Sequence, residues 1–360
     1  MTFPAIPTPS DRDAEVIAAA VGVDVGGGSL KVGAAVLDSS GAVRAAHLLP
    51  DLQEAAPRTV PHGSPLDPAA LDEVCAAAAQ RTAVLLERRL PGVPISWGVA
   101  AAAWIRPDDG HSVFSPHLTA WRDYSLRDGL ARAAATQEGP LRGAPKVCND
   151  ADAAAWAEAT QGAGSSASRN GQEARRMVMV AIGTGIGGAL VRDGVVEAGA
   201  HGMAGEYGHM SLDPQGVRCA CGGIGCWETL VSASALAHRA DRTSARTTLD
   251  DALAGDPQCR AAVAQTGEWL GRGLSLLTAA LDPDLLVIGG GLAAGGDLLL
   301  DPARDVLQST LPGRGHRQAP EVVLARWGNH AGWLGAAGRA LRPGPRRRVL
   351  GLDDPAPVEG

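Results

Sequence analysis

The sequence predicts an α/β protein made of two related halves that face each other across a cleft. Three observations carry that expectation. Apolar strands alternate with helical stretches along most of the 360 residues. One strand–turn–strand–turn–strand pattern occurs twice, as DVGGGSLKVGAAVLDSSGAV from Asp24 and as AIGTGIGGALVRDGVV from Ala181. Three apolar strands each run into a glycine turn, at Gly26-Gly27-Gly28-Ser29, Gly183-Thr184-Gly185 and Gly289-Gly290-Gly291.

Each element has its own signal. Residues 1–15 are rich in Pro, Ser and Asp and read as a disordered arm. Val21, Val23 and Val25 alternate along a first strand, a second runs from Lys31 to Leu37, and SSG turns the chain before Val43. Asp67-Pro68 opens a helix in which Leu71, Val74, Cys75 and Ala78 share one face. VPISWGVAAAAWI reads as one apolar strand ending at a PDDG turn, and Pro145 to Asn149 as a short strand leading into the helix ADAAAWAEAT. The polar stretch 162–176 reads as a solvated loop. The second copy of the repeat follows, then helices over roughly 230–280, a strand into the third glycine turn, and a closing strand and helix in VVLARWGNHAGWLGAAGRAL. Residues 343–360 read as a disordered tail whose RRR is a solvated run.

Composition excludes several classes. A 45% hydrophobic and 20% charged chain fits a globular protein with a substantial core. The net charge of −7 gives no footprint for nucleic acid or an anionic membrane. There is no apolar run long enough to span a bilayer, and MTFPAIPTPSDRDAE lacks the basic and apolar regions of a signal peptide. Cysteines clustered as ligands suit a reducing, cytoplasmic setting.

The densest chemistry lies in GEYGHMSLDPQGVRCACGGIGCWE, from Gly205 to Glu228. His209, Cys219, Cys221 and Cys226 make a one-His, three-Cys set suited to a closed tetrahedral structural zinc. Cys219 and Cys221 are too close for an easy disulfide, but both can grip one metal. The bland alternative is three unrelated buried thiols.

Glycine turns let successive backbone N–H groups point at one anion. The first turn is no Walker A loop, and the GTGIGG of the second leads into a strand, so the dinucleotide reading fails. One such turn is only a hairpin; three point to a nucleotide phosphate cradle. Asp24, beside the first turn, could hold Mg2+ through water, or merely cap the turn. Asp150 could take the proton of a hydroxyl that attacks phosphorus, while Asn149 binds a neighbouring hydroxyl. Alternatively the pair caps the following helix.

Together these segments resemble the ROK family of bacterial sugar kinases and repressors, most closely its glucokinases. The resemblance covers about residues 20–340 and rests above all on HGMAGEYGHMSLDPQGVRCACGGIGCWETLVSASAL. DVGGGSLKVG, VCNDADAAAWAE, IGTGIGGALVRDG, LDPDLLVIGGGL and SPHLTAWRDYSLRDGL add to it. Departures fall at Gly28, where Thr is usual, and at Ala101 to Trp104, where many members have a glycine-rich stretch before an apolar residue.

The resemblance implies a two-domain, actin-like and hexokinase-like (ribonuclease H-like) ATPase fold with sugar in the interdomain cleft. We expect a small domain over 16–152, completed by 328–342, and a large zinc-bearing domain over 153–327. It implies ATP-dependent phosphorylation of a hexose, glucose first, with fructose, N-acetylmannosamine or allose as alternatives. Asp150 would be the general base, and Asn149, Glu206, His209 and Glu228 would join it in hydrogen-bonding the sugar. His209 would put one ring nitrogen on zinc and the other on a hydroxyl. Asp24, Gly26, Gly27, Gly28, Ser29, Lys31, Gly183, Thr184, Gly185 and Gly187 would serve ATP and Mg2+, with Gly290 and Gly291 near the adenosine. A homo-dimer or homo-tetramer is implied. The family's repressors carry an N-terminal helix-turn-helix domain; only about twenty residues precede the first strand, so the regulator reading is the weaker one.

Overall fold

A computed structural model describes residues 15–26, 29–46, 67–115, 118–165 and 173–341. The arm, the tail, part of the 162–176 loop, and Gly27 and Gly28 lie wholly or largely outside the described residues.

The first half begins with an antiparallel meander of β1 (Val16–Val25), β2 (Leu30–Asp38) and β3 (Val43–Ala46). Helix α1 (Pro68–Arg89) starts as its sequence dictates, with the Asp67 carboxylate accepting from Ala69 N and Pro68 in the first turn. It returns the chain to β4 (Ile95–Ala101), which pairs parallel to β1. The expected single strand through Ile105 breaks here. Ala102 N donates to Val25 O and Ala103 N to Ala101 O at 2.7 Å, and the chain leaves the sheet. Trp104 then starts a separate hairpin of β5 (Trp104–Ile105) and β6 (Ser112–Phe114). Helix α2 (Leu126–Ala135) leads to β7 (Lys146–Asn149), parallel to β4, completing the order β3-β2-β1-β4-β7.

Helix α3 (Asp150–Gln161) crosses to the second half, whose meander is β8 (Arg176–Ile182), β9 (Ile186–Arg192) and β10 (Val195–Val196). Four helices follow: α4 (Trp227–Val231), α5 (Ala233–Arg239), α6 (Ala245–Ala254) and α7 (Pro257–Leu281). Strand β11 (Leu285–Gly289), helix α8 (Asp297–Thr310), strand β12 (Glu321–Leu324) and helix α9 (Ala331–Leu341) close the chain. The second sheet has the order β10-β9-β8-β11-β12, so the repeat in the sequence is a repeat in topology.

Each sheet has a core. Val21, Val23, Leu30, Leu71, Leu86 and Trp121 fill one. Val178, Val180, Trp227, Leu270, Leu274 and Leu299 fill the other. Helix α9 returns to the first sheet and lies close on it, because a Cβ at Gly22 or Gly98 would overlap the carbonyls of Trp333 or Ala336. No described helix is long and apolar enough to cross a membrane.

Register decides where the site forms. Val25 pairs with Ala101, and Ala101 with Asn149. Ala181 likewise pairs with Gly289. The glycine turns and Asp150 therefore all follow the carboxyl ends of parallel strands, where open α/β sheets bind ligands.

Candidate functional site

On the first sheet, Asp24 stands opposite Lys31 in the β1–β2 register, with Lys31 Nζ 3.6 Å from its carboxylate. Gly332, at the start of α9, packs directly on the Asp24 carboxyl. Burial pushes the Asp24 pKa up, and Lys31 opposes the shift. The hairpin turn beside it closes by Gly26 N donating to Ser29 O at 2.9 Å.

Asn149, not Asp150, caps α3. Its Oδ1 accepts from Ala151 N at 2.8 Å and Asp152 N at 3.1 Å, and its Nδ2 donates to Ala103 O at 3.1 Å. Asp150 is thus the first helical residue, its Oδ1 accepting from Ala151 N at 2.9 Å. Burial pushes the Asp150 carboxyl up to about 7, and the nearby negative Asp24 adds to the shift against the Ala151 N–H. A carboxylate tuned near neutrality and still partly open to solvent is what a general base requires.

On the second sheet, the β8–β9 turn closes by Gly183 N donating to Gly185 O, and Gly183 O accepts from Ala233 N, both at 2.8 Å. Glu228 lies on this turn: a Cβ at Gly185 would overlap its Oε2, which accepts from Ile186 N at 3.0 Å. Gly290 has φ +81°, open to glycine without strain, and packs against Ile182, so the third turn abuts the second. Gly183 and Gly291 face open space, and Thr184 is exposed. Gly187 meets Ala151 Cβ, which sets β9 beside the start of α3 and Asp150.

The Gly205–Glu228 segment is folded by bridges between Ser211 and Cys226 and between Arg218 and Ile224. His209, Cys219, Cys221 and Cys226 converge, with one ligand atom from each lying within 4.8 Å of the others. The Cys221 and Cys226 sulfurs are 3.6 Å apart, and Cys219 Sγ is 3.9 Å from His209 Nδ1. Zinc–sulfur bonds near 2.3 Å give tetrahedral edges of about 3.8 Å, so the donor set fits. The other ring nitrogen, His209 Nε2, lies 3.7 Å from Glu206 Oε2.

Two residues join this group to which the sequence assigned no site role, Trp104 and Asp152. The Trp104 indole Nε1 donates to Glu206 Oε1 at 2.8 Å. Asp152 is pushed up to about 6 by burial, with Arg339 opposing and Glu206 adding to the shift. Neither pairing has a local signal, since each links residues far apart in the chain. Surface hollows of about 430 and 680 Å³, on α1 and between α8 and β12, lie away from all of these groups.

The ROK family model matches residues 20–342. The chain belongs to the ROK family. It is similar to a glucokinase of Streptomyces coelicolor, 31% identical over 348 residues that cover 90% of this chain and 98% of the relative. An N-acetylmannosamine kinase of Citrobacter koseri is 38% identical over 162 residues, 43% of this chain and 53% of the relative. Among solved structures, a ROK family glucokinase from Streptomyces griseus in complex with glucose and AMPPNP superposes with a TM-score of 0.67 at 27% identity, covering 90% of this chain and all of that one. The fold of this ROK protein is accordingly the two-domain, hexokinase-like α/β fold.

Proposed function

We propose that this protein is an ATP-dependent hexose kinase that phosphorylates glucose at its 6-hydroxyl. The carboxylate of Asp150 carries the reading: burial raises it to about 7, it follows the same strand ends as Asp24, and the neighbouring Ala151 meets Gly187 of β9 in the second half. The similarity to glucokinases over nearly the whole chain supports it.

In this mechanism Glu206, His209, Glu228 and the free amide N–H of Asn149 bind sugar hydroxyls and orient the ring. The reacting hydroxyl gives its proton to the Asp150 carboxylate as its oxygen bonds to the γ-phosphorus, and the bond to the departing ADP oxygen breaks. Backbone N–H groups of the glycine turns stabilise charge on the transferring phosphoryl. Asp24 would hold magnesium through water, which supplies positive charge at the phosphates. His209, Cys219, Cys221 and Cys226 would hold zinc, which fixes the imidazole's orientation. The catalytic cleft would lie between a lobe over 16–152 completed by 328–342 and a lobe over 153–327. A second reading, N-acetylmannosamine as acceptor, has support from the 38% identity to a kinase of that sugar over part of the chain.

A panel of hexoses with ATP, read by ADP release, tests the proposal. Glucose should give the highest kcat/KM. A more than tenfold preference for N-acetylmannosamine would move the assignment to that sugar, and no turnover with any hexose would sink the kinase reading.

A further inference from the structure

We propose that Trp104 is a positioning and specificity-determining residue for the hexose site, acting through Glu206. The inference rests on the reading of Glu206 as a sugar-binding carboxylate.

The geometry is a chain of constraints that ends on that carboxylate. Strand β4 breaks after Ala101, and the break places Trp104 on a separate hairpin. The backbone before Trp104 is held twice, by Ser115 Oγ donating to Ala102 O at 2.7 Å and Asn149 Nδ2 donating to Ala103 O at 3.1 Å. The Trp104 ring then leans on Phe114, with centroids 5.3 Å apart, and the Arg122 guanidinium sits 4.7 Å over Phe114. An indole fixed in this way has one polar atom, a donor, and it points at Glu206 Oε1 at 2.8 Å. The opposite oxygen, Oε2, is the one facing His209 Nε2.

A carboxylate with no such partner turns about its last torsion and offers either oxygen. Here the indole takes one oxygen and so presents the other in a set direction beside His209. A hydroxyl of the correct configuration meets an acceptor already oriented for it, while an epimer's does not. Hydrogen bonds to a carboxylate are short and directional, so the bond also holds Glu206 in place. Trp104 belongs to the first half and Glu206 to the second, so one bond ties the β5–β6 hairpin to the sugar-binding loop across the two halves.

The test is Trp104→Phe, which keeps an aromatic ring against Phe114 and removes the N–H. The expected result is a KM for the preferred hexose raised roughly tenfold, discrimination against its epimers reduced by a similar factor, and KM for ATP and kcat changed less than about twofold. Trp104→His, which can still offer an N–H, should recover part of the loss. Hexose KM and epimer discrimination unchanged in Trp104→Phe would overturn the proposal. So would a rise in hexose KM matched by equal losses in kcat and ATP affinity and a lowered melting temperature, since that marks general damage. Should the variant not fold, the indole N–H resonance of Trp104 in 15N-labelled wild type decides: a shift on adding hexose without nucleotide supports the proposal, and no shift overturns it. Wild-type turnover is the separating control. If no hexose is phosphorylated the kinase reading fails; if one is and Trp104→Phe behaves as wild type, this inference alone fails.

Discussion

The two sheets share a topology and differ in what stands at their carboxyl ends. The first ends in acids and an amide: Asp24 near the end of β1, Asn149 closing β7, Asp150 opening α3. The second ends in bare backbone, at Gly183–Gly185 and Gly289–Gly291, with Gly183 and Gly291 facing open space. One scaffold, used twice, thus separates two tasks. Acids at the first sheet can move a proton, and backbone N–H groups of the glycine turns at the second can hold an anion. Glu228 is attached to the β8–β9 turn of the second sheet, and in the proposed reading it and the His209 loop serve as grips. The division predicts that loss of the Asp150 acid lowers kcat, whereas damage to the grips, and to the Trp104 that orients one of them, raises the hexose KM.

The largest expected effect is at Asp150. Asp150→Asn keeps the size of the side chain and removes the base, so kcat should fall about a thousandfold with hexose binding retained. Steady-state turnover beside calorimetric sugar binding checks both halves of that statement. Near-normal kcat would take the base role away from Asp150, and lost sugar binding would blur the line between the two sheets.

A smaller effect, of the other kind, is expected at the Cys cluster. Cys226→Ser, or chelation, should release bound zinc and raise the hexose KM roughly tenfold to a hundredfold, with a lesser change in kcat. The metal content of the purified protein is the first measurement, and a zinc-free protein with full sugar affinity would end the argument. Cys226 is buried and opens α4, so its variant may not be compared on activity alone; the melting temperature belongs beside the kinetics.

These features differ in how visible they are in the sequence. His209, Cys219, Cys221 and Cys226 lie in one short segment, and local turns bring them together, so spacing alone exposes them. The doubled meander is equally plain, because alternation and glycine turns are local signals. The end of β4 was not legible. VPISWGVAAAAWI is apolar throughout, and the break at Ala102 comes from hydrogen bonds to Val25 and Ala101 that the pattern does not encode. Trp104 on Glu206 was hidden for the same reason: it depends on that break and on a partner 102 positions away. Asp150 falls between the two cases. Its place after a strand was readable, but Asn149 took the capping role because its amide can both accept from Ala151 and Asp152 and donate to Ala103.

The last expected effect isolates the acid side by itself. Burial and Asp24 raise the Asp150 carboxyl to about 7 in the folded protein, whereas in an unfolded chain it titrates near 4. The folded state therefore holds a proton that the unfolded state has lost anywhere between those values. The stabilising contribution is present in full below about pH 4 and is lost as pH rises through about 7. Asp150→Asn has no such proton to lose, so its melting temperature relative to wild type should climb from pH 4 to 7 and level off above. The same titration acts oppositely on catalysis, because only the carboxylate accepts a proton: kcat/KM should rise with pH along a limb centred near 7. A stability difference flat across that window, or an activity limb centred below pH 5, would show that Asp150 is solvated like any surface acid. The contrast between an acid-bearing sheet and a bare one would then lose its electrostatic basis.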